Sequence, residues 1–208
     1  MSVSVHKFIT GPIETNTYIV RGDKERCLVV DPSSGCEEVT GFVEREGLFP
    51  EAILLTHAHF DHTMGIPEFQ SIYPGLEVYV HRAELMLLTN AGINGSVMMG
   101  KPFTYNGNTH DLTEGKMKIG SFETEVFFIP GHSPGGVAFK FDNFLLCGDI
   151  LFAGSIGRSD FPGGDGELLI NGIKEKLFTL SDQTVVCPGH GGRTTIGREK
   201  RSNPYFTL

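Results

Sequence analysis

One short segment of the chain concentrates side chains that bind metal ions. Residues 56–62 have the sequence THAHFDH, which places three imidazoles and one carboxylate directly after an apolar run. Neutral imidazole nitrogen and carboxylate oxygen are the ligand types of zinc and other borderline divalent metals. In an extended segment His57 and His59 point to one side, whereas Asp61 and His62 turn onto the next segment and can face a second ion. The spacing therefore predicts a site for two metal ions rather than one.

Three later segments share one design, in which a strand-like apolar run ends in a turn that carries a ligand type. His132, Asp149 and His190 each follow a glycine at such a position. Loops held on a rigid scaffold converge at one edge of it, so ligands scattered over strand ends can form one site. The sequence thus predicts a functional edge with seven candidate ligands: His57, His59, Asp61, His62, His132, Asp149 and His190.

The elements that must position these side chains follow from the apolar pattern. Alternating or apolar runs between turn residues predict strands at 3–10, 15–20, 27–30, 52–55, 76–80, 116–119, 124–129, 137–141, 144–147 and 184–187. Helical spacing predicts helices at 36–46 and 83–89, a helix ending at 69–73, and a helix over 168–178. Two strand-rich halves, each ending in helix, predict an α/β (α+β) fold, a four-layer αββα sandwich of two mixed β-sheets with helices on the outer faces.

Length and charge limit the classes of function that the chain can have. The 208 residues are enough for one well-filled domain over 1–208, and no Ser/Gly/Pro-rich linker divides them. Seventeen basic residues against twenty-five acidic ones give a net charge of −8, which disfavours nucleic acid and anionic membrane as partners. We expect a small-molecule substrate, and the sequence leaves the oligomeric state open.

Four separated cysteines, Cys27, Cys36, Cys147 and Cys187, form no CxxC pair, and three of them lie in apolar runs. This pattern is typical of buried free thiols and suits a reducing compartment. The first eight residues show no basic region followed by an apolar core, so no secretory signal is visible. We therefore expect a cytoplasmic location.

The HxHxDH run, followed in order by Gly-His, Gly-Asp and Gly-His, resembles the metallo-β-lactamase superfamily, and the resemblance covers nearly the whole chain. His59, Asp61 and Asp149, with the segment 151–165, resemble the short glyoxalase II-like proteins of the hydroxyacylglutathione thioesterase branch. The resemblance implies that one ion is held by His57, His59 and His132, that the other is held by Asp61, His62 and His190, and that Asp149 bridges them.

A metal-activated bridging water would then be the nucleophile, and Asp61 would also orient it through a hydrogen bond. The resemblance implies two divalent metal ions, with Zn²⁺ expected and Fe or Mn left open. The function it favours is hydrolysis of small thioesters, with a hydroxyacyl thioester such as S-lactoylglutathione as the substrate. Two-domain members add a helical region that helps hold glutathione, whereas this chain stops at Leu208, shortly after the last ligand.

Other functions share the framework. A persulfide dioxygenase resembles it but uses one iron held by two histidines and one aspartate, and a metal-binding regulator could keep the ligands with a closed pocket. β-Lactamases are disfavoured because they are exported and replace Asp149 by another residue type.

Several residues outside the motifs have open roles. Arg158 could be an ion-pair partner or a substrate contact, and the loop 90–110 could touch substrate. We expect Asp31 to cap a turn under the site and Asp160 to be a turn residue. Four apolar side chains of the long loop could wall a hydrophobic pocket or pack the loop against the body, and we expect core packing: Met98, Met99, Phe103 and Tyr105.

Overall fold

The first of two large β-sheets is built mostly from the N-terminal half of the chain. In the computed structural model, which describes residues 2–207, its strands are β1 (Ser4–Thr10), β2 (Thr15–Arg21), β3 (Arg26–Val30), β4 (Phe49–Leu54), β5 (Glu77–Val80) and β6 (Thr109–Asp111). They lie side by side in chain order. The first three are antiparallel, which confirms the predicted meander, and β3 to β6 are parallel.

The second sheet also has six strands. The remaining strands of the described residues are β7 (Gly115–Ile119), β8 (Phe122–Phe128), β9 (Val137–Phe141), β10 (Phe144–Gly148), β11 (Leu151–Phe152), β12 (Ser155–Ile156), β13 (Val185–Pro188) and β14 (Thr194–Thr195). The sheet order is β14-β13-β10-β9-β8-β7, with β10 and β13 parallel and the other pairs antiparallel. β11 and β12 form a separate hairpin directly after Asp149.

Helices cover the outer faces of both sheets. They are α1 (Glu37–Arg45), α2 (Ile66–Ile72), α3 (Leu85–Leu88), α4 (Gly166–Lys176) and α5 (Ile196–Ser202). Side chains alternate across each strand, so Ile53 of β4 packs with α1 to α3 while Leu54 faces the second sheet. On the other side α4 and α5 pack on β10 and β13. The predicted four-layer αββα sandwich of two mixed sheets is confirmed.

Most differences from the predicted elements concern short segments. The predicted helix at 83–89 is a 3₁₀ turn at Arg82–Glu84 followed by the single turn of α3, and the long loop contains a further 3₁₀ turn at Ser96–Met99. β6, β14 and the β11–β12 hairpin escaped prediction because two or three residues carry no detectable period. The four cysteines are free and buried, as predicted. No helix within residues 2–207 has the length and apolarity needed to span a bilayer.

Candidate metal centre

The loops that carry the candidate ligands leave the sandwich at one shared edge. The HxHxDH segment follows β4, whereas His132, Asp149 and His190 follow β8, β10 and β13. Backbone hydrogen bonds join the strand ends across this edge. The Val137 amide donates to the Thr56 carbonyl at 2.8 Å, and the Asn16 amide donates to the Gly189 carbonyl at 2.7 Å. The two sheets are thereby fastened together where the ligand loops begin.

The structure brings six of the seven candidate residues together in two adjoining groups, with Asp149 between them. Within each group the possible ligand atoms lie within 4.8 Å of one another. The first group is His57, His59 and His132, and the second is Asp61, His62 and His190. His57, His59, Asp61 and His62 come from one segment, whereas His132 and His190 come from distant parts of the chain, so only the folded edge completes the two groups.

Asp149 lies between the two groups. Its Oδ2 is 3.7 Å from His132 Nε2 in the first group and 3.6 Å from His190 Nε2 in the second, and its Oδ1 is 3.6 Å from His62 Nε2. A third ligand triplet formed by His57, His62 and Asp149 reflects the same central position. The carboxylate therefore reaches both groups without belonging to one alone.

Several buried polar atoms at the centre have no hydrogen-bond partner within residues 2–207. His59 Nδ1 and His132 Nε2 face each other at 2.9 Å, while His57 Nε2, His62 Nε2 and Asp149 Oδ1 are buried without a hydrogen-bond partner among the described residues. Buried polar atoms without partners are costly, so folded proteins rarely keep them without a function. Clustered imidazole nitrogen and carboxylate oxygen fit a divalent metal ion.

Burial keeps the first group in the form that a metal requires. Desolvation, reinforced by the neighbouring imidazoles, holds the pKa of His57 well below its ordinary value and lowers the pKa of His59 to about 3. Burial lowers the pKa of His132 as well, although Asp149 opposes the shift. These imidazoles are consequently neutral at neutral pH, and a neutral imidazole has a lone pair free for ligation.

The second group has the opposite electrostatic character. Burial alone would lower the pKa of His62, but the carboxylates of Asp61, Asp31 and Asp149 raise it well above its ordinary value. Burial would likewise raise the pKa of Asp61, but His62 and His190 hold it well below its ordinary value. The three carboxylates thus create a strongly negative environment that favours positive charge, whether a proton or a metal ion supplies it.

Two residues that support the ligands were not assigned this role from sequence. Asp31 accepts hydrogen bonds from the Thr56 amide at 2.7 Å and the Thr56 hydroxyl at 2.6 Å, and its Oδ2 lies 3.0 Å from His62 Nδ1. The Thr15 hydroxyl donates to Asp61 Oδ2 at 2.9 Å. The expectation that Asp31 only caps a turn was too narrow, because the carboxylate also orients a candidate ligand, as partners of metal-bound histidines commonly do.

The turn before Asp149 depends on a glycine. Gly148 has a φ of +47°, and a Cβ there would lie 2.1 Å from the Thr56 hydroxyl oxygen and 2.7 Å from Thr56 Cβ. Only glycine avoids this collision in the left-handed conformation. β10 can therefore end against the start of the HxHxDH segment, which delivers the Asp149 carboxylate to the space between the two groups.

A cavity of about 360 Å³ opens directly onto the two groups, and His59, Asp61, His132, Asp149 and His190 contribute to its lining. Its remaining walls are largely apolar: Ile13, Phe60, Ile93, Met98, Phe161 and Pro162. The prediction that Met98 packs in the core was wrong, since this side chain is 83% exposed at the cavity rim, and Met99 is 44% exposed. Tyr105 and Phe103 do pack against the core, as predicted.

Within residues 2–207, Arg158 is the one basic residue other than histidine that lines the cavity. Its guanidinium donates to both carboxylate oxygens of Asp160 at 2.7 Å and lies 4.1 Å from the centre of the Phe161 ring. The Arg158 carbonyl accepts the Nδ1 hydrogen of His132 at 2.7 Å. Asp160 is therefore an ion-pair partner rather than a simple turn residue, and Arg158 contributes to the cavity wall and to the orientation of a candidate ligand.

The fold and the site define a class of protein. The sequence profile of the metallo-β-lactamase superfamily matches residues 10–190, and the chain belongs to this superfamily. It is a hydrolase-type member whose histidine and aspartate groups are suited to a divalent metal.

Specific relatives cover almost the full chain. The probable metallo-hydrolase YqgX of Bacillus subtilis is 40% identical over 94% of this chain and 94% of its own length. The hydroxyacylglutathione hydrolase GloC of Haemophilus influenzae is 32% identical over 93% of both chains. Among solved structures, BLEG-1, a B3 metallo-β-lactamase, is 40% identical with a TM-score of 0.94 and covers 99% of this chain and 100% of its own. TTHA1623 in a di-iron-bound form is 36% identical with a TM-score of 0.86, over 96% of this chain and 99% of its own.

Proposed function

We propose that this protein is a binuclear metallohydrolase that cleaves small thioesters, with hydroxyacyl thioesters of the S-lactoylglutathione type as its substrates. The observation that carries the proposal is the position of Asp149 between two groups of metal-binding side chains at the floor of an open cavity. Support also comes from the hydroxyacylglutathione hydrolase GloC, which is similar along 93% of the chain. The buried free thiols suit the reducing cytoplasm as the place of action.

In this proposal each group would hold one metal ion. The first ion would be held by His57, His59 and His132. The second would be held by Asp61, His62 and His190, and Asp149 would be shared between the two. We expect zinc at both positions, and the related di-iron form of TTHA1623 keeps iron as the other candidate.

The metal ions, when bound, lower the pKa of a water molecule toward neutrality and polarise the substrate carbonyl. The residues of the chain supply orientation. Asp61 is held as a carboxylate by His62 and His190, and its Oδ2 already accepts the Thr15 hydroxyl hydrogen. Such a carboxylate can accept a hydrogen bond from the attacking water and fix its direction. Thioester hydrolysis then needs no serine or cysteine nucleophile, which agrees with the raised pKa and full burial of the Cys147 thiol near the site.

The lining of the cavity also affects which thiol the substrate can carry. Its apolar side chains can accommodate the acyl chain or the aliphatic part of a thiol, whereas glutathione carries two carboxylates and one ammonium group. The Arg158 guanidinium is available for one of those carboxylates only in competition with Asp160. Glutathione binding therefore depends on how readily this exposed ion pair opens.

β-Lactam hydrolysis is the second candidate function. It is favoured by one observation, the 40% identity and 0.94 TM-score shared with the B3 metallo-β-lactamase BLEG-1. The same cavity and metal groups could present an activated water to a β-lactam carbonyl. The persulfide dioxygenase hypothesis differs from both, because it requires a single iron and the consumption of oxygen.

The deciding experiment is a substrate panel with metal-loaded protein. Thiol release from S-lactoylglutathione and from uncharged lactoyl thioesters is followed with a thiol reagent, beside nitrocefin hydrolysis and oxygen uptake with glutathione persulfide. The proposal expects thioester turnover that disappears in Asp149→Ala. Thiol release from none of the thioesters would overturn it, and nitrocefin turnover or oxygen uptake alone would point to one of the other two activities. Metal binding without turnover on any substrate would instead favour a metal-binding regulator.

A further inference from the structure

Glu84 is a fully buried carboxylate that touches neither the cavity nor a candidate metal ligand. It ends the 3₁₀ turn at Arg82–Glu84, and its exposed fraction is 0%. Burial raises its pKa, and the Ser133 side chain together with the backbone amides of Ala58 and Gly135 opposes that shift. Burying a carboxylate costs free energy, so a protein rarely keeps one in such a place unless its hydrogen bonds serve the fold or the function.

The two carboxylate oxygens hold two different ligand loops. Oε2 accepts the amide hydrogen of Ala58 at 2.7 Å, and Oε1 accepts the amide hydrogen of Gly135 at 2.5 Å. Ala58 stands between His57 and His59, while Gly135 lies three residues after His132. One side chain therefore spans the two segments that together supply all three imidazoles of the first group.

The fit is close on the Gly135 side. A Cβ at this position would lie 2.8 Å from Glu84 Cγ and 3.0 Å from the Glu84 amide nitrogen. The His132 loop thus rests directly on the Glu84 side chain, which lies between this loop and the HxHxDH segment.

The chemistry of the bridge specifies glutamate. An ionised carboxylate offers acceptors at both oxygens, whereas glutamine has one acceptor oxygen and an amino group that would face one of the two N–H donors. Glutamine at position 84 could consequently keep the bond to one loop but not to both. The position is selective for two acceptors, which a residue that merely fills space would not require.

We propose that Glu84 is a positioning residue for the metal centre, which clamps the His57–His59 and His132 segments at the separation that the first metal ion needs. The proposal rests on the metal site of the proposed function but not on its substrate. Loss of the clamp lets the two loops separate, so the ion leaves faster although every ligand is intact. Partners of this kind typically change metal affinity by about 10- to 100-fold.

The test compares Glu84→Gln with Glu199→Gln. Glu199 is an equally buried carboxylate, and it accepts hydrogen bonds from the Gly154 amide, the Thr194 hydroxyl and the Asn203 amide group. It contacts neither the HxHxDH segment nor the His132 loop, so Glu199→Gln measures the general effect of replacing a buried carboxylate, without the loss of the clamp. Both proteins are loaded with zinc, and metal release to a chromogenic chelator is timed. Cobalt-loaded samples give the visible absorption spectrum of the site.

We expect Glu84→Gln to release metal roughly tenfold faster than wild type and to alter the cobalt spectrum, while Glu199→Gln matches wild type in both. Equal release rates and spectra for the two variants would overturn the clamp. If Glu84→Gln does not fold, Gly135→Ala takes its place, because its added methyl group pushes the loop off an intact Glu84. Wild-type release kinetics in Gly135→Ala would then refute the clamp. Failure of the wild-type protein to bind divalent metal would refute the proposed metal site itself.

Discussion

The glycine before His190 offers a sharp test of how tightly the centre is packed. A Cβ at Gly189 would lie 2.2 Å from Asp149 Oδ1, 2.7 Å from His62 Cε1 and 3.1 Å from the Gly148 carbonyl carbon. These are a carboxylate, an imidazole and backbone of the site itself, so no flexible surface side chain can yield. Gly189→Ala must therefore displace Asp149 or His62.

The expected cost has two parts. Forcing one methyl group into a packed site costs about 1–3 kcal/mol, which corresponds to a fall in Tm of roughly 2–12 °C for a domain of this length. The displaced carboxylate should also weaken metal binding. A metal at 100 times its Kd stabilises the folded state by about 2.7 kcal/mol, and the variant should lose much of that increment.

The assay is thermal unfolding with added zinc and with excess chelator. Gly192→Ala is the matched control, because a Cβ there meets nothing within 4 Å and the residue is exposed. We expect the control to keep the wild-type Tm and the full stabilisation by zinc, and Gly189→Ala to lose both. A Gly189→Ala protein with wild-type Tm and an unchanged zinc increment would refute the packing argument.

Three further predictions concern residues around the centre. Asp31→Ala should destabilise the protein by about 3 kcal/mol, because the buried Thr56 amide and hydroxyl and His62 lose their partner. Urea unfolding measures this change, and a loss under about 0.5 kcal/mol would contradict it. Asp160→Asn should free Arg158 and so lower KM for S-lactoylglutathione by up to about threefold, with no change for an uncharged thioester. An equal effect on both substrates would count against this prediction. Chelation should lower the Tm of the wild-type protein reversibly, and a Tm that is indifferent to chelator and zinc would argue against a metal-stabilised site.

The seven candidate ligands could be predicted because each carries a local signal. Four of them lie in the HxHxDH run, and His132, Asp149 and His190 each follow a glycine at the end of an apolar run. Both signals are visible without knowing the fold. The sandwich could be predicted because two strand-rich halves each end in helix. The continuous apolar run 52–55 does not show which side chains face the helices, and only the structure places Ile53 on the helix side and Leu54 on the side of the second sheet.

The supporting residues carry no such signal. Asp31 meets Thr56 across 25 positions and Thr15 meets Asp61 across 46, so only the folded chain shows these contacts. Glu84 stands in an ordinary helix-like segment that does not differ from a solvated one in sequence. Met98 was misassigned for another reason: Gly95 and Gly100 flank its 3₁₀ turn in left-handed conformations, and the turn carries the side chain outward to the cavity rim.

We infer that the folded chain holds a centre for two metal ions, with Asp149 between them. The most direct measurement is the metal content of untagged protein, purified without added metal and quantified by mass spectrometry against protein concentration. We expect close to two divalent ions per chain, and a marked loss in Asp149→Ala. A single iron per chain, or two ions retained in full by Asp149→Ala, would contradict it.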